Sequence, residues 1–349
     1  MKLFLGLANI LHTKRELFAS EKCGRRNETM RKQLFGAYPV SVIGFGTAEF
    51  GGRHPESLAR ELMDAYVSIG GNFIDTARVY GDFATPRNGE SEKIVGRWME
   101  DRGNRDRIFL STKGGHPPFT DLHHSRLSPE EVRSDMAASL EDLRTDHVEI
   151  YWLHRDDESR PVGGIMETLQ SLIEDGAARM IGVSNWRPER IREANAYADA
   201  HGLTRLIANQ PQFSLARQHF FLDDTTRGMD AETWQMHAET GMICCCFSSQ
   251  AHAYFTRLEK GGEAALMESL KMEFDSPENR SILDGIRKVQ EETGLSVGSV
   301  ALAWLIAQPF PTFPLVGASR VEHVEALREA GDAALTEKQR DFLRRVAAE

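Results

Sequence analysis

A chain of 349 residues, 41% of them hydrophobic, is long enough for one large buried core and requires no second domain. Its 52 acidic against 42 basic residues give a net charge of -10, which excludes the broad basic face of a nucleic-acid binder and points to a small-molecule partner. Of four cysteines, Cys244, Cys245 and Cys246 are consecutive, a spacing that excludes an ordinary disulfide framework and fits buried strand residues in a reducing compartment, read as the cytoplasm.

The N-terminus combines Lys2 with an apolar run from Leu3 to Leu11, as signal peptides do, but His12-Thr13-Lys14-Arg15 follows without a small-residue cleavage site. Residues 1–29 are therefore read as a loosely ordered extension, or as sequence upstream of a start at Met30, and residues 30–349 as one folded domain. Cys23 lies in the extension and is given no role. No unbroken apolar stretch beyond it reaches the roughly 18 residues of a membrane span.

From Val40 the chain alternates strand-like and helix-like segments. Val40 to Gly44 precedes the amphipathic Pro55 to Ile69, and Asn72 to Asp75 precedes Gly89 to Asp101. Ile108 to Lys113 leads to Pro129 to Leu143, where Ser128 and Pro129 form a helix start as N-cap and first helical residue. Val148 to His154 and Val162 to Asp175 follow, then Met180 to Ser184, Pro188 to His201, and Leu206 to Gln210. The seventh strand is Met242 to Phe247, after which a long irregular stretch is expected before helices Arg280 to Glu292 and Val297 to Gln308. The eighth is Thr312 to Val316, followed by helix Val321 to Ala330 and a terminal helix, Thr336 to Ala347, with Thr336 as its cap. This α/β pattern predicts a (β/α)₈ TIM barrel with an extra C-terminal helix. A doubly wound sheet would want a glycine fingerprint in its first turn, and Gly44-Phe45-Gly46-Thr47 lacks the third glycine.

In a parallel barrel the C-terminal strand ends converge on one mouth. Asp75, Lys113 and His154 stand at three successive ends, and Tyr80 follows Asp75 by five residues. Each alone reads as a structural residue; all four in this order read as a proton-transfer set. A neighbouring ammonium favours the tyrosine's phenolate, and a carboxylate behind the lysine keeps that ammonium charged. Tyr80 would then serve a carbonyl oxygen as proton donor, with neutral His154 polarising it. His123-His124, without matched carboxylates or cysteines, read as exposed loop residues, and no metal is expected.

The motifs Val42-Ile43-Gly44-Phe45-Gly46-Thr47, Gly71 to Ala77 with Tyr80-Gly81, Gly89-Glu90-Ser91-Glu92, Ser111-Thr112-Lys113, Leu153-His154-Arg155 and Ile181 to Trp186 closely resemble those of the aldo-keto reductases. The resemblance runs from about Met30 to the C-terminus. It implies a catalytic tetrad of Asp75, Tyr80, Lys113 and His154, with Tyr80 as general acid and NADPH, or NADH, as hydride donor. It also implies cofactor contacts from Gly46, Thr47, Asp75, Ser184, Asn185 and Gln210, ring stacking from Phe247, and a pyrophosphate loop beginning at Ser248 and Gln250. Gly317, Ser319, Arg320 and His323 fall where the family holds the adenosine 2′-phosphate, although some relatives carry lysine and arginine where this chain has Gly317 and His323.

The implied activity is reduction of an aldehyde or ketone to an alcohol. A nicotinamide-binding redox sensor with slow turnover is the alternative, and a cofactor-free hydrolase or lyase a third. The substrate pocket is expected from Ala48 to Arg53, Asp82 to Arg87, Arg155-Asp156-Asp157, Trp186 and a closing loop from Ser249 to Glu278. The charged turn suggests a polar carbonyl, and the absence of a long tail an open mouth.

Overall fold

The computed structural model describes residues 29–81, 89–221 and 223–348. Within them, strands β3 (Gly44–Gly46), β4 (Phe73–Asp75), β5 (Phe109–Gly114), β6 (Ile150–Leu153), β7 (Ile181–Ser184), β8 (Ala208–Gln210), β9 (Ile243–Cys246) and β10 (Thr312–Val316) form a closed parallel barrel. They pair in chain order, with β10 hydrogen-bonded to both β9 and β3. The register sets Gly46 beside Asp75, Asp75 beside Ser111, and Ser184 beside Gln210. The expected strand ends are thus neighbours around one rim.

The first strand is placed differently from the sequence expectation. Val40 and Ser41 end the second arm of an antiparallel hairpin, β1 (Lys32–Phe35) and β2 (Tyr38–Ser41), and the barrel strand begins only at Gly44. Phe35 and Val40 are buried with Phe73, Phe109, Ile150 and Phe313, residues at or near the N-terminal strand ends. Phe35 lies 4.8 Å from Phe109 and 5.0 Å from Phe313, ring centre to ring centre, so the hairpin plugs the barrel floor. At Gly44 any side chain would meet Leu315 and Phe73 within 2.8 Å, and glycine lets the strand pass between them.

Outside the barrel lie α1 (Glu56–Ser68), α2 (Glu90–Arg102), α3 (Pro129–Leu143), α4 (Val162–Glu174) and α5 (Pro188–His201). Ser128 and Glu131 cap α3 reciprocally, as the sequence indicated for Ser128. A helix the sequence reading missed, α6 (Ala231–Thr240), starts at Asp230, whose Oδ1 accepts from Thr233 N at 2.7 Å. Its buried residues are Thr233, Met236 and His237, too polar a face to register as an apolar stripe.

The stretch expected to be irregular holds α7 (Tyr254–Gly261) and α8 (Glu268–Phe274), then α9 (Pro277–Thr293) and α10 (Val297–Ile306). The helix expected over Val321 to Ala330 is broken into α11 (Val321–Glu325) and α12 (Leu327–Asp332). The terminal α13 (Glu337–Ala348) packs on α9, with Thr336 Oγ1 accepting from Gln339 N at 3.3 Å. No helix of the described residues is long and apolar enough to cross a membrane.

His237 gives the barrel wall a pH dependence. It is fully buried, Nδ1–H donates to Met242 O at 2.8 Å, and Nε2 faces the Asn209 amide at 3.5 Å. Burial lowers its pKa to about 4. Between pH 6.5 and about 4 the unfolded chain therefore binds the extra proton, and stability falls as pH drops through that window. The loss is on the order of 3 kcal/mol. Urea unfolding at pH 7 and pH 4.5 should show a steeper loss in wild type than in His237→Leu.

Candidate active site

Lys113 is completely buried near the end of β5. Its ammonium donates to Asp75 Oδ2 at 2.5 Å and to Thr76 O at 2.7 Å. Burial pushes its pKa down, but Asp75 and Tyr80 together more than offset this and the net shift is upward, so the lysine stays charged. The second carboxylate oxygen of Asp75 accepts from Ser111 Oγ at 2.6 Å and Gln210 Nε2 at 3.3 Å. Ser111 is held in turn by Trp152 Nε1–H at 2.8 Å. Apart from Thr76, which directly follows β4, these groups come from β4, β5, β6 or β8, so the pair is fixed by strand register rather than by loops.

Tyr80 reaches in from the loop after β4, half-buried, with the Lys113 ammonium 4.6 Å from its ring centre. Burial raises the phenol pKa, opposed by Lys113, and the net direction is up. The phenolate-favouring effect expected from the sequence is thus outweighed: Tyr80 keeps its proton through the neutral range and can give it away. His154 follows β6 and lies 5.9 Å from Tyr80, ring to ring. Burial first, then His116, Arg155 and Lys113, hold its pKa well below the ordinary histidine value. It is neutral, and its buried Nδ1 has no hydrogen-bond partner among the described residues.

His116, a residue the sequence reading did not single out, packs on His154 at 4.7 Å. Its Nδ1–H donates to Pro117 O at 2.6 Å, and burial lowers its pKa to about 4. The signal available was a histidine three residues past the strand-end lysine, behind Gly114-Gly115.

The expected cofactor residues divide into rim and brace. Ser184 Oγ donates to Gln210 O at 2.8 Å. Asn185, in the left-handed region at φ +63°, donates to His154 O at 3.0 Å and accepts from Arg227 N at 2.9 Å, so both ends of its amide are occupied. Thr47 is buried and turned from the mouth, its hydroxyl 2.7 Å from Ser91 Oγ and 3.2 Å from Asp75 O. Glu92 of the same motif accepts from Thr112 Oγ1 at 2.5 Å and Arg78 at 3.1 Å, and burial raises its pKa. Phe247 is half-buried just past β9, and Ser248 opens a turn with Gln250 in which Ser248, Ala251, His252 and Ala253 all have positive φ. Four non-glycine residues in that region within six positions mark stored backbone strain. Past β10, Gly317, Ser319 and Arg320 are exposed, as is His323 in α11, and Arg320 and His323 form no ion pair among the described residues. A Cβ at Gly317 would lie 3.8 Å from Gly46 O, so the two glycines are neighbours across the rim.

The charged turn after β6 is spent on the protein itself. Arg155 donates to Asp223 at 2.8 Å, Thr225 at 2.9 Å and His154 O at 3.0 Å; Asp156 accepts from Arg190 at 3.2 Å and Asp157 from Arg160 at 3.2 Å. These are rim ion pairs, which removes the ground for a polar substrate. Trp186 is buried, donating to Arg155 O at 3.1 Å. Asp82 to Arg87 lie outside the described residues. His123 pairs with Asp224 at 3.4 Å, and among the described residues no group of three ligating side chains could hold a metal. A separate cleft of about 730 Å³, lined by Trp186, Phe213, Arg227, Met229 and Trp304 among others, includes none of the four central residues.

A closed parallel barrel with a buried lysine–carboxylate pair, a tyrosine and a neutral histidine at the C-terminal strand ends has the build of a barrel enzyme. A model of the aldo/keto reductase family matches residues 42–348, and the chain belongs to that family, hence to the oxidoreductases. It is 30% identical to the aryl-alcohol dehydrogenase [NADP(+)] of Phanerodontia chrysosporium, covering 87% of this chain and 82% of that one. It is 27% identical to norsolorinic acid reductase B of Dothistroma septosporum, covering 86% and 76%. With the aldo-keto reductase ausK of Emericella nidulans identity is 26%, over 88% and 78%.

Proposed function

We propose that this protein reduces an aldehyde or ketone to the alcohol with NADPH, Tyr80 supplying the proton. The observation that carries this reading is the buried Lys113, held charged by Asp75 and set 4.6 Å from the Tyr80 ring. NADPH, when bound, supplies a hydride to the carbonyl carbon. Tyr80 transfers its phenolic proton to the oxygen, and Lys113 stabilises the phenolate left behind. His154, uncharged, donates a hydrogen bond that orients the carbonyl.

The donor set fits a nicotinamide cofactor. Gln210 commits Nε2 to Asp75, which leaves Oε1 to accept a carboxamide N–H beside Ser184. Asn185 and Thr47 act as braces, one holding His154 and the other Asp75. Phe247 offers a ring face, Gly46 and Gly317 give close backbone approach, and Ser248 and Gln250 open the strained turn beside them. Ser319, exposed Arg320 and His323 suit a 2′-phosphate, and the NADP(+) in one relative's name agrees.

Loss of NADPH absorbance against a panel of aldehydes and ketones, repeated with NADH, tests the reading. Turnover with NADPH is expected. Tight NADPH binding with no turnover of any carbonyl would overturn it.

A further inference from the structure

The run from Asp75 to Tyr80, which carries the proton donor, is fastened by a single guanidinium. Arg78 stands two residues before Tyr80, and its Nη1 donates to Glu92 Oε2 of α2 at 3.1 Å and to Asp142 Oδ2 of α3. Glu92 is completely buried and also accepts from Thr112 Oγ1 at 2.5 Å, one residue before Lys113 in β5. The main chain repeats the link, Arg78 N donating to Lys113 O at 3.0 Å. Tyr80 N donates to Ala77 O at 3.0 Å, and Tyr80 O accepts from Ser91 N of α2 at 3.3 Å. Gly89, the cap of α2 at φ +86°, leaves room for the guanidinium: a Cβ there would collide with Arg78 Nη1 and Asp142 Oδ2.

From this arrangement we propose that Arg78 is a positioning residue for the proton donor. Clamped between Glu92 and Asp142, it sets the turn that holds the Tyr80 ring 4.6 Å from the Lys113 ammonium and 5.9 Å from His154. The inference rests on the reductase reading and adds the residue that aims its acid. Glu92 is the hub: one carboxylate oxygen holds Arg78 and the other Thr112, so the donor's loop and the lysine's strand share an anchor. A buried ion pair returns little net stability over an apolar replacement. What this triad secures is a geometry, and a misplacement of about 1 Å at a reacting group costs up to about 10²-fold in rate.

The test is a cycle of kcat and KM, on the best carbonyl of the panel, in wild type, Arg78→Ala, Arg78→Lys, Tyr80→Phe and the double variant of Arg78→Ala with Tyr80→Phe, with NADPH binding titrated in each. Arg78→Ala should lower kcat about 10- to 100-fold while NADPH affinity stays near that of wild type. Arg78→Lys should remain within about threefold of wild type, because both bonds leave one nitrogen and an ammonium can make them. On the Tyr80→Phe background the alanine change should cost less than about twofold, since no phenolic proton is left to aim. An unchanged kcat in Arg78→Ala, or an equal loss with and without the Tyr80 hydroxyl, overturns the proposal. Should Arg78→Ala not fold, Asp142→Ala, which cuts only one of the two bonds, replaces it in the same cycle, with an expected loss of about three- to tenfold and the same overturning results. Absence of turnover in wild type would overturn the reductase reading instead. Crystal structures of wild type and the variant then decide: a Tyr80 ring displaced by about 1 Å or more sustains the clamp, and an unmoved ring overturns it.

Discussion

Tyr80→Phe should lower kcat/KM for carbonyl reduction by about 10²–10⁴-fold, the range a positioned general acid contributes. The substitution removes one hydroxyl and nothing else. The ring that packs edge-on to His154 and lies under the Lys113 ammonium remains, and Lys113 keeps its bonds to Asp75 and Thr76 when the hydroxyl beside it is lost. NADPH affinity should stay near that of wild type, because the groups suited to the cofactor lie on β7, β8 and the turns after β9 and β10. Because burial holds the phenol protonated, the wild-type donor is loaded at neutral pH and the variant has no substitute. His154 cannot take over, being uncharged with its pKa well below the ordinary range. Steady-state rates and cofactor titration on the two proteins would decide; unchanged turnover would remove Tyr80 from the proton step.

The residues legible in the sequence are those whose position is dictated by strand ends. Asp75, Lys113 and His154 each close a short hydrophobic run, and a parallel barrel brings such ends together whatever the loops do. What the sequence hid depends on packing between distant segments. Val40 to Gly44 reads as one barrel strand because it is largely apolar, whereas Val40 and Ser41 end the floor hairpin and the barrel strand begins at Gly44, where it pairs with Leu315 and a side chain would meet Leu315 and Phe73. Helix α6 hid because its buried face carries threonine and histidine. Arg155 pointed toward substrate because its partner, Asp223, lies 68 residues away on another loop. His116 went unnoticed for the same reason: its meaning comes from His154, 38 positions on in the numbering, and a ring contact has no local pattern.

Lys113→Met should cost both function and fold, and the way the two losses separate tests how the site is built. Removing the ammonium leaves the Asp75 carboxylate buried at 1% exposure with Ser111 and Gln210 as its remaining donors. Breaking one half of a buried pair typically destabilises by about 3–5 kcal/mol, because a charge is stranded in a medium that cannot solvate it. Urea unfolding should therefore show a markedly lower midpoint. The double variant Asp75→Asn with Lys113→Met strands no charge, and its midpoint should recover a large part of the loss. Activity should not recover with it, since neither variant can stabilise the Tyr80 phenolate. Stability that returns without turnover is the signature of an ion pair kept for chemistry. If the two single losses simply add, Asp75 and Lys113 are energetically independent and the lysine's charge is maintained by something other than the aspartate.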